Sequence, residues 1–342
     1  MNNKIRVLVV DDSLLSREII SMGISSSPNI EVVAKAGDPF EAADKILKFK
    51  PDIMTCDVEM PRMNGIEFIK RLLPQYSIPI IVVSSANEVV FDAINAGAVD
   101  FIGKPDVQSR ASVENFINEL IKKIKIAVNS HIVSKEELKA KSLDSNKAII
   151  NTDEIIAIGA STGGTEAIYS LLSALPENMP GIVITQHIPP VFSQMFANRL
   201  NAQTKLSVKE AENGDYIEKG KVLIAPGSKH MIVKKRLDRY CVEVFEGEKV
   251  NGHCPSVDVL FKSVAKEAKG KAIGIILTGM GYDGAKGLLA MRRSGAKTIG
   301  QDEKSSVIYG MPKVAYDIGA VQRQAALSNI PQMLMSMLRS GL

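Results

Sequence analysis

Gly159-Ala160-Ser161-Thr162-Gly163 satisfies G-x-S-x-G between an apolar run and a helical pattern. Small residues beside a serine permit a sharp strand-to-helix turn that lifts its hydroxyl clear of a sheet, the setting of an activated nucleophile. A phosphate cradle would instead require G-x-G-x-x-G. Ser161 stands at the second glycine's place, where a side chain would obstruct a pyrophosphate, and Thr165-Glu166 after Gly164 supply no P-loop lysine. The spacing favours a nucleophile over a glycine-rich phosphate turn, which remains the alternative.

A serine nucleophile needs a base, and the chain holds four histidines. His131 falls in a polar stretch read as a linker, His230 follows the turn APGSK, and His253 lies in NGHCPS ahead of a helix. His187 is best placed, because it follows the strand run GIVITQ and precedes Pro189-Pro190, which restrain the local backbone. Its plainer role would be a capping or hydrogen-bonding histidine. Asp283, in IILTGMGYDGAKG, follows another apolar strand and could hold an imidazole in one tautomer. A helix cap is the alternative there. No histidine lies beyond 253, so the order Ser…Asp…His cannot use Asp283. Ser161…His187…Asp283 remains open, since triads are defined by geometry.

A second group of reactive residues lies near the amino terminus. Asp11 and Asp12 end a first strand, Asp57 follows a third, Ser84 ends a fourth and Lys104 follows a fifth. Carboxyl ends of strands in an open α/β sheet form the ligand crevice. Carboxylates converging there repel one another unless a cation binds, and oxygen donors of this kind suit Mg²⁺. Asp57 could attack a phosphoryl donor, with Lys104 as a point charge on the phosphoryl oxygens and Ser84 donating to another. Alternatively these aspartates are helix caps and loop polars, as Asp38 before Pro39 is expected to be.

The elements that must position these groups form two α/β patterns. IRVLVV (5–10), IEVVAKA (30–36), DIMTC (52–56), IPIIVVS (78–84) and DFIG (100–103) read as strands buried on both faces. Four amphipathic helices separate them and a fifth, ASVENFINELIKKIKIAV, closes the set. Five βα units predict an open parallel sheet with helices on both faces. Residues 129–151 are polar and lysine-rich and read as a linker, partly helical in the first half. From there a second, mostly parallel α/β pattern runs to the end, with an antiparallel hairpin insert at HMIVKKR and YCVEVFEG.

Composition narrows the class. At 342 residues two domains are the default, and 45% hydrophobic with 23% charged residues describes an ordinary globular protein. With no Trp, ten Phe and seven Tyr, the cores must rely on aliphatics and the fourteen Met. No apolar run approaches a membrane span, and the first residues lead into a strand rather than a signal peptide. Three cysteines without metal-like spacing fit a reducing cytoplasm. The net charge of +4 is uneven, the first 128 residues being net acidic and the rest net basic. A basic half suits an acidic partner or a solvated surface, but no dense basic and aromatic array marks a nucleic-acid groove.

VVDDS, DVEMP, VVSSAN and FIGKP, spread over residues 4–125, resemble the response-regulator receiver domain. That resemblance implies strand order 2-1-3-4-5, phosphorylation of Asp57 by a chemotaxis histidine kinase, and Mg²⁺ on Asp11, Asp12 and Asp57. It also implies Ser84 and Phe101 as switch positions, with Lys104 beside them. GASTGG, TQHIPP, NGHCPSVDVLF, ILTGMGYDGAKG and QDEKSSVIYGMP together resemble the chemotaxis-specific protein-glutamate methylesterases over nearly the whole chain. By that resemblance Ser161 is the nucleophile, His187 the base and Asp283 its orienter. Thr162 and Met280 offer amides near the oxyanion, and no metal is needed in that domain. The one departure is Cys254, where arginine is expected. The resemblance implies a cytoplasmic enzyme recruited to membrane receptor arrays, without membrane insertion or nucleic-acid binding. It would hydrolyse glutamate γ-methyl esters on methyl-accepting chemotaxis receptors and deamidate certain receptor glutamines. In the family the receiver covers the active-site entrance until phosphorylated. The expected domains are a receiver at 1–128, a linker at 129–151 and a catalytic domain at 152–342. A receiver driving a nucleotide- or DNA-binding output, and a noncatalytic scaffold, are the competing classes.

Overall fold

Five short apolar runs near the amino terminus become strands because they are rich in β-branched residues, or in DFIG carry Phe101 beside Ile102, and are too short for a stable helix. In the computed structural model, which describes residues 4–85, 89–128, 130 and 153–338, the chain divides into two units, 1–132 and 133–342. The segment expected as a linker, 129–151, lies outside the described residues apart from Ser130, and His131 lies outside them too.

In the first unit β1 (Ile5–Val10), β2 (Ile30–Ala36), β3 (Ile53–Asp57), β4 (Ile80–Ser84) and β5 (Asp100–Gly103) form one sheet, ordered β2-β1-β3-β4-β5. Every neighbouring pair is parallel, as the resemblance implied. The helices start where capping chemistry allows. Asp38 accepts from the backbone N–H of Phe40 and of Glu41, both at 2.9 Å, ahead of Pro39–Phe49, so it is the ordinary cap expected. Asp57 is the last residue of β3 rather than the residue after it. A polar carboxyl can end a buried central strand when, as here, it lies at the strand's carboxyl end and has a partner, Lys104.

In the second unit β6 (Ile155–Ala160), β7 (Ile182–Gln186), β8 (Ser207–Glu210), β9 (Lys221–Ile224), β12 (Ala272–Ile276), β13 (Lys297–Gln301) and β14 (Arg323–Ala325) build a seven-stranded sheet. Its order is β14-β13-β12-β6-β7-β9-β8, and all its pairings are parallel. The strands β10 (His230–Arg236) and β11 (Arg239–Phe245) pair antiparallel as a separate hairpin. The sheet begins at β6 and grows to one side through β7 and to the other through β12. The crevice of such a sheet opens where the order reverses, at the carboxyl ends of β6 and β12. Helices Gly164–Ser173, Val257–Glu267 and Ala285–Arg293 cover the sheet. Phe261, fully buried in this core, contributes about 2 kcal/mol or more by leaving water. No helix among the described residues is long and apolar enough to cross a membrane.

Candidate active site and phosphoacceptor pocket

Strand register brings the serine and histidine together. β6 and β7 pair Gly159 with Thr185 and Ala160 with Gln186, so Ser161 and His187 are the next residues on adjacent strands. The His187 N–H donates to the Ala160 carbonyl at 3.1 Å, continuing that ladder. On the other side the Ser161 N–H donates to the Thr278 carbonyl at 3.0 Å, tying the serine to the segment after β12. The approach is close: a Cβ at Gly279 would lie 2.7 Å from Ser161 Cβ. Only glycine fits there.

Asp283 sits at the start of helix Val257–Glu267. Its Oδ1 accepts from Asn251 Nδ2 and Ser256 Oγ, both at 2.8 Å, and from the Asp258 N–H at 3.2 Å. Its Oδ2 accepts from the Val257 N–H at 2.7 Å and lies 2.9 Å from His187 Nε2. Burial by itself would raise this carboxyl's pKa, but His187, then Asn251 and the Val257 N–H, hold it far below the usual aspartate range. A carboxylate so anchored is ionised and fixed in orientation. It is no plain helix cap, because it also meets the imidazole. His187 is almost fully buried at 7% side-chain exposure, and its Nδ1 has no hydrogen-bond partner among the described residues. Nε2 faces Asp283, and among the described residues Nδ1 meets no donor or acceptor, the Ser161 hydroxyl included.

The remaining histidines separate by environment. His230 is buried, with Nε2 2.8 Å from the Glu248 carbonyl and Nδ1 accepting from the Ser256 N–H at 3.2 Å, so both nitrogens serve the framework. His253 stacks on His187 with ring centroids 3.7 Å apart and planes within 9°. Thr162 is buried, its carbonyl accepting from Thr278 Oγ1 at 3.0 Å, whereas Met280 is 46% exposed beside Gly279. Cys254 is half-buried and carries no disulfide.

Sequence reasoning missed the groups that hold these loops. Gln186 Nε2 donates to the carbonyls of Ser161 at 2.9 Å and His187 at 3.1 Å, joining both loops through one amide. Asn251 Nδ2 also donates to the buried Asp258 carboxylate at 3.0 Å. The Asn-Gly pair at 251–252 was the available signal for a tight turn.

The first unit carries the acidic pocket at the corresponding edge of its own sheet. Asp11, Asp12 and Asp57 offer carboxylate oxygens that all lie within 4.8 Å of one another. Lys104 Nζ lies 2.6 Å from Asp57 Oδ2 and 3.0 Å from Asp11 Oδ2, and Ser16 Oγ donates to Asp11 at 2.7 Å. Burial pushes the Asp57 carboxyl up, against the pull of Lys104 and with the help of Asp11's like charge. Burial works to lower Lys104, but its bonds to Asp57 and Asp11 outweigh that and raise it. The lysine direction governs the pair, because one ammonium is shared by two carboxylates. The oxygen donors fit a hard divalent cation, which would relieve the repulsion that Lys104 only partly offsets. Ser84 is buried at the end of β4. Phe101 is buried in β5, edge-on to Phe91 at 6.1 Å between centroids.

An acidic pocket on a five-stranded β2-β1-β3-β4-β5 sheet, in one chain with a parallel α/β unit whose rim joins serine, histidine and aspartate loops, defines a response regulator with a hydrolase output. Comparison with known proteins agrees. Residues 7–113 match the response regulator receiver domain and residues 156–334 match the CheB methylesterase family. The chain is 55% identical over 331 residues, 97% of each chain, to a protein-glutamate methylesterase/protein-glutamine glutaminase of Syntrophomonas wolfei. It is 46% identical to one of Syntrophotalea carbinolica, covering 99% of each chain. The crystal structure of the Thermotoga maritima CheB methylesterase catalytic domain matches with a TM-score of 0.53 at 36% identity, covering 54% of this chain and 98% of that one. The chain belongs to the CheB methylesterase family.

Proposed function

We propose that this chain hydrolyses glutamate γ-methyl esters on methyl-accepting chemotaxis receptors, releasing methanol, and deamidates receptor glutamines by the same acyl chemistry. Ser161 Oγ attacks the ester carbonyl carbon as its proton passes to His187 Nδ1, while Asp283 keeps its negative charge and steadies the imidazolium. The tetrahedral intermediate collapses, and the Nδ1 proton leaves with the methoxide as methanol. Water then loses a proton to the same nitrogen and attacks the acyl-serine, returning Ser161 and a receptor glutamate. With a glutamine substrate the leaving group is ammonia. Backbone amides of Thr162 and Met280 stabilise the oxyanion, at about 3 kcal/mol for a well-placed donor.

The receiver occupies residues 1–128 and the catalytic domain 152–342, joined by a linker at 129–151. Asp57 takes a phosphoryl group from a chemotaxis histidine kinase and thereby activates the esterase. Asp11, Asp12 and Asp57 would hold Mg²⁺, which would supply charge neutralisation to the transferring group. Lys104 pairs with a phosphoryl oxygen, and Ser84 and Phe101 respond as the switch. The protein acts in the cytoplasm at membrane receptor arrays.

The observation that carries the catalytic reading is the His187–Asp283 pair, with Nδ1 unpartnered on the strand next to Ser161. Methanol release from methylated receptor membranes, with and without a small-molecule phosphodonor, tests it. Release that depends on Ser161 and rises with phosphodonor is expected. Equal release from the Ser161→Ala variant would refute the assignment.

A further inference from the structure

The segment Val250–His253 is a minimal hairpin. The Val250 N–H donates to the His253 carbonyl and the His253 N–H to the Val250 carbonyl, both at 3.0 Å. Asn251 has φ 54° and Gly252 φ 84°, the left-handed pair that a two-residue type I′ turn requires and that Asn-Gly meets with least strain. Its conformation is therefore set locally. Both sides of the turn reach the same acid–base pair. Asn251 Nδ2 bonds Asp283 at 2.8 Å, and the His253 ring lies flat on His187 at 3.7 Å between centroids.

The reaction described above gives His253 no chemistry, and its geometry excludes two obvious roles. The nitrogen lone pairs and N–H bonds of stacked imidazoles lie in parallel planes, here within 9°. The rings therefore cannot pass a proton face to face, and they cannot converge on one metal ion. Stacking does something else. Among the described residues His187 is held through its nitrogens at Nε2 alone, since Nδ1 has no partner there. Rotation about the Cβ–Cγ bond keeps Nε2 near its partner while carrying the free nitrogen out of line. A parallel ring at van der Waals distance closes that motion on one face.

We infer that His253 is a positioning residue for ester hydrolysis: delivered by the Asn251-Gly252 turn, its ring holds the plane of His187 so that Nδ1 faces the Ser161 hydroxyl. The inference rests on the reading of Ser161 and His187 as nucleophile and base. It also explains why one turn touches both members of the pair. A fixed relation between Asn251 and His253 is a fixed relation between Asp283 and His187.

The test compares the full-length parent with His253→Ala, His253→Leu and His253→Phe. Methanol release from methylated receptor membranes gives kcat and KM, and mass spectrometry gives the rate at which a fluorophosphonate labels Ser161. Ala and Leu should lower kcat and the labelling rate together by roughly tenfold to a hundredfold with KM unchanged, the scale expected when a reacting group is misplaced. Phe, which restores a flat ring without nitrogens, should recover most of the loss. Leu and Phe both fill the site with apolar bulk, so their comparison stands even if the Ala variant fails to fold. Unchanged kcat in Ala and Leu, an effect confined to KM, or a Phe variant no better than Leu would overturn the inference. A parent chain that neither releases methanol nor labels at Ser161 would instead remove the esterase reading, and this inference with it.

Discussion

His187 Nε2 lies 2.9 Å from Asp283 Oδ2, which leaves Nδ1 as the ring nitrogen the proposed mechanism uses as its base. Asp283→Asn keeps the shape but lets an amide N–H face the ring, favouring the tautomer with its proton on Nδ1. That proton would block the base. Methanol release should fall by roughly 10⁴-fold in kcat, with receptor binding retained. A loss under tenfold would show that Asp283 does not govern the tautomer.

Gly279 packs directly against Ser161. An added Cβ would lie 2.5 Å from Met311 Sδ and 2.7 Å from Ser161 Cβ, and the methionine can yield more easily than the backbone-tethered serine. Gly279→Ala should therefore move Ser161 as well as strain the turn. We expect kcat to fall by about a hundredfold, with a smaller change in melting temperature than in rate. Steady-state kinetics beside calorimetry on the same preparation separates the two.

Asn251 stands between two buried carboxylates, 2.8 Å from Asp283 and 3.0 Å from Asp258. Asn251→Asp would place a third negative charge there and remove the donor both depend on. The catalytic unit should lose at least about 2 kcal/mol, and Asn251→Ala less, since it removes a partner without adding charge. Denaturant midpoints that fall in the opposite order would contradict this electrostatic account.

Asp283 also sets a pH dependence. Burial opposes its ionisation, but His187, Asn251 and the Val257 N–H together depress its folded pKa well below the unfolded value. A depressed carboxylate contributes stability that is full above about pH 4 and is lost as pH falls toward the folded value. The melting-temperature gap between parent and Asp283→Asn should be widest near neutrality and narrow by about pH 3.5. A gap that grows on acidification would reverse the sign.

In the receiver, Asp57→Ala should leave basal esterase activity no higher than the parent's and abolish the response to a small-molecule phosphodonor. Assays of methanol release with and without donor decide the point. Persistent activation would place the phosphoacceptor elsewhere.

The sequence was most legible where local pattern and chemistry coincide. β1, β2 and β5 run over the stretches their alternation of apolar and turn residues predicts, and Asp38 caps the helix that Pro39 begins. The short edge strands Ser207–Glu210 and Arg323–Ala325 escaped detection. Edge strands need not be apolar on both faces, so SVKE and RQA show neither run nor period. The helices Met311–Asp317 and Ile330–Leu338 were also unread. Ser161, His187 and Asp283 could be named because each follows an apolar strand in a glycine- or proline-marked loop. The stack of His253 on His187 could not, because contacts between loops so distant in sequence leave no spacing to read. Gln186 was hidden for a related reason. Its amide bonds backbone carbonyls, and nothing in residue order shows where those carbonyls point.

The adjacency of β6 and β7 has one further consequence. Side chains alternate faces along a strand, so inserting or deleting one residue in either would turn the histidine away from the serine and move the following side chains of a strand buried on both faces into the wrong packing layer. Evolution can lengthen the loops at the rim, but these two strands must keep their lengths in concert. Diversity in this lineage should therefore collect above the sheet, and the pair beneath should tolerate substitution far better than any change of length.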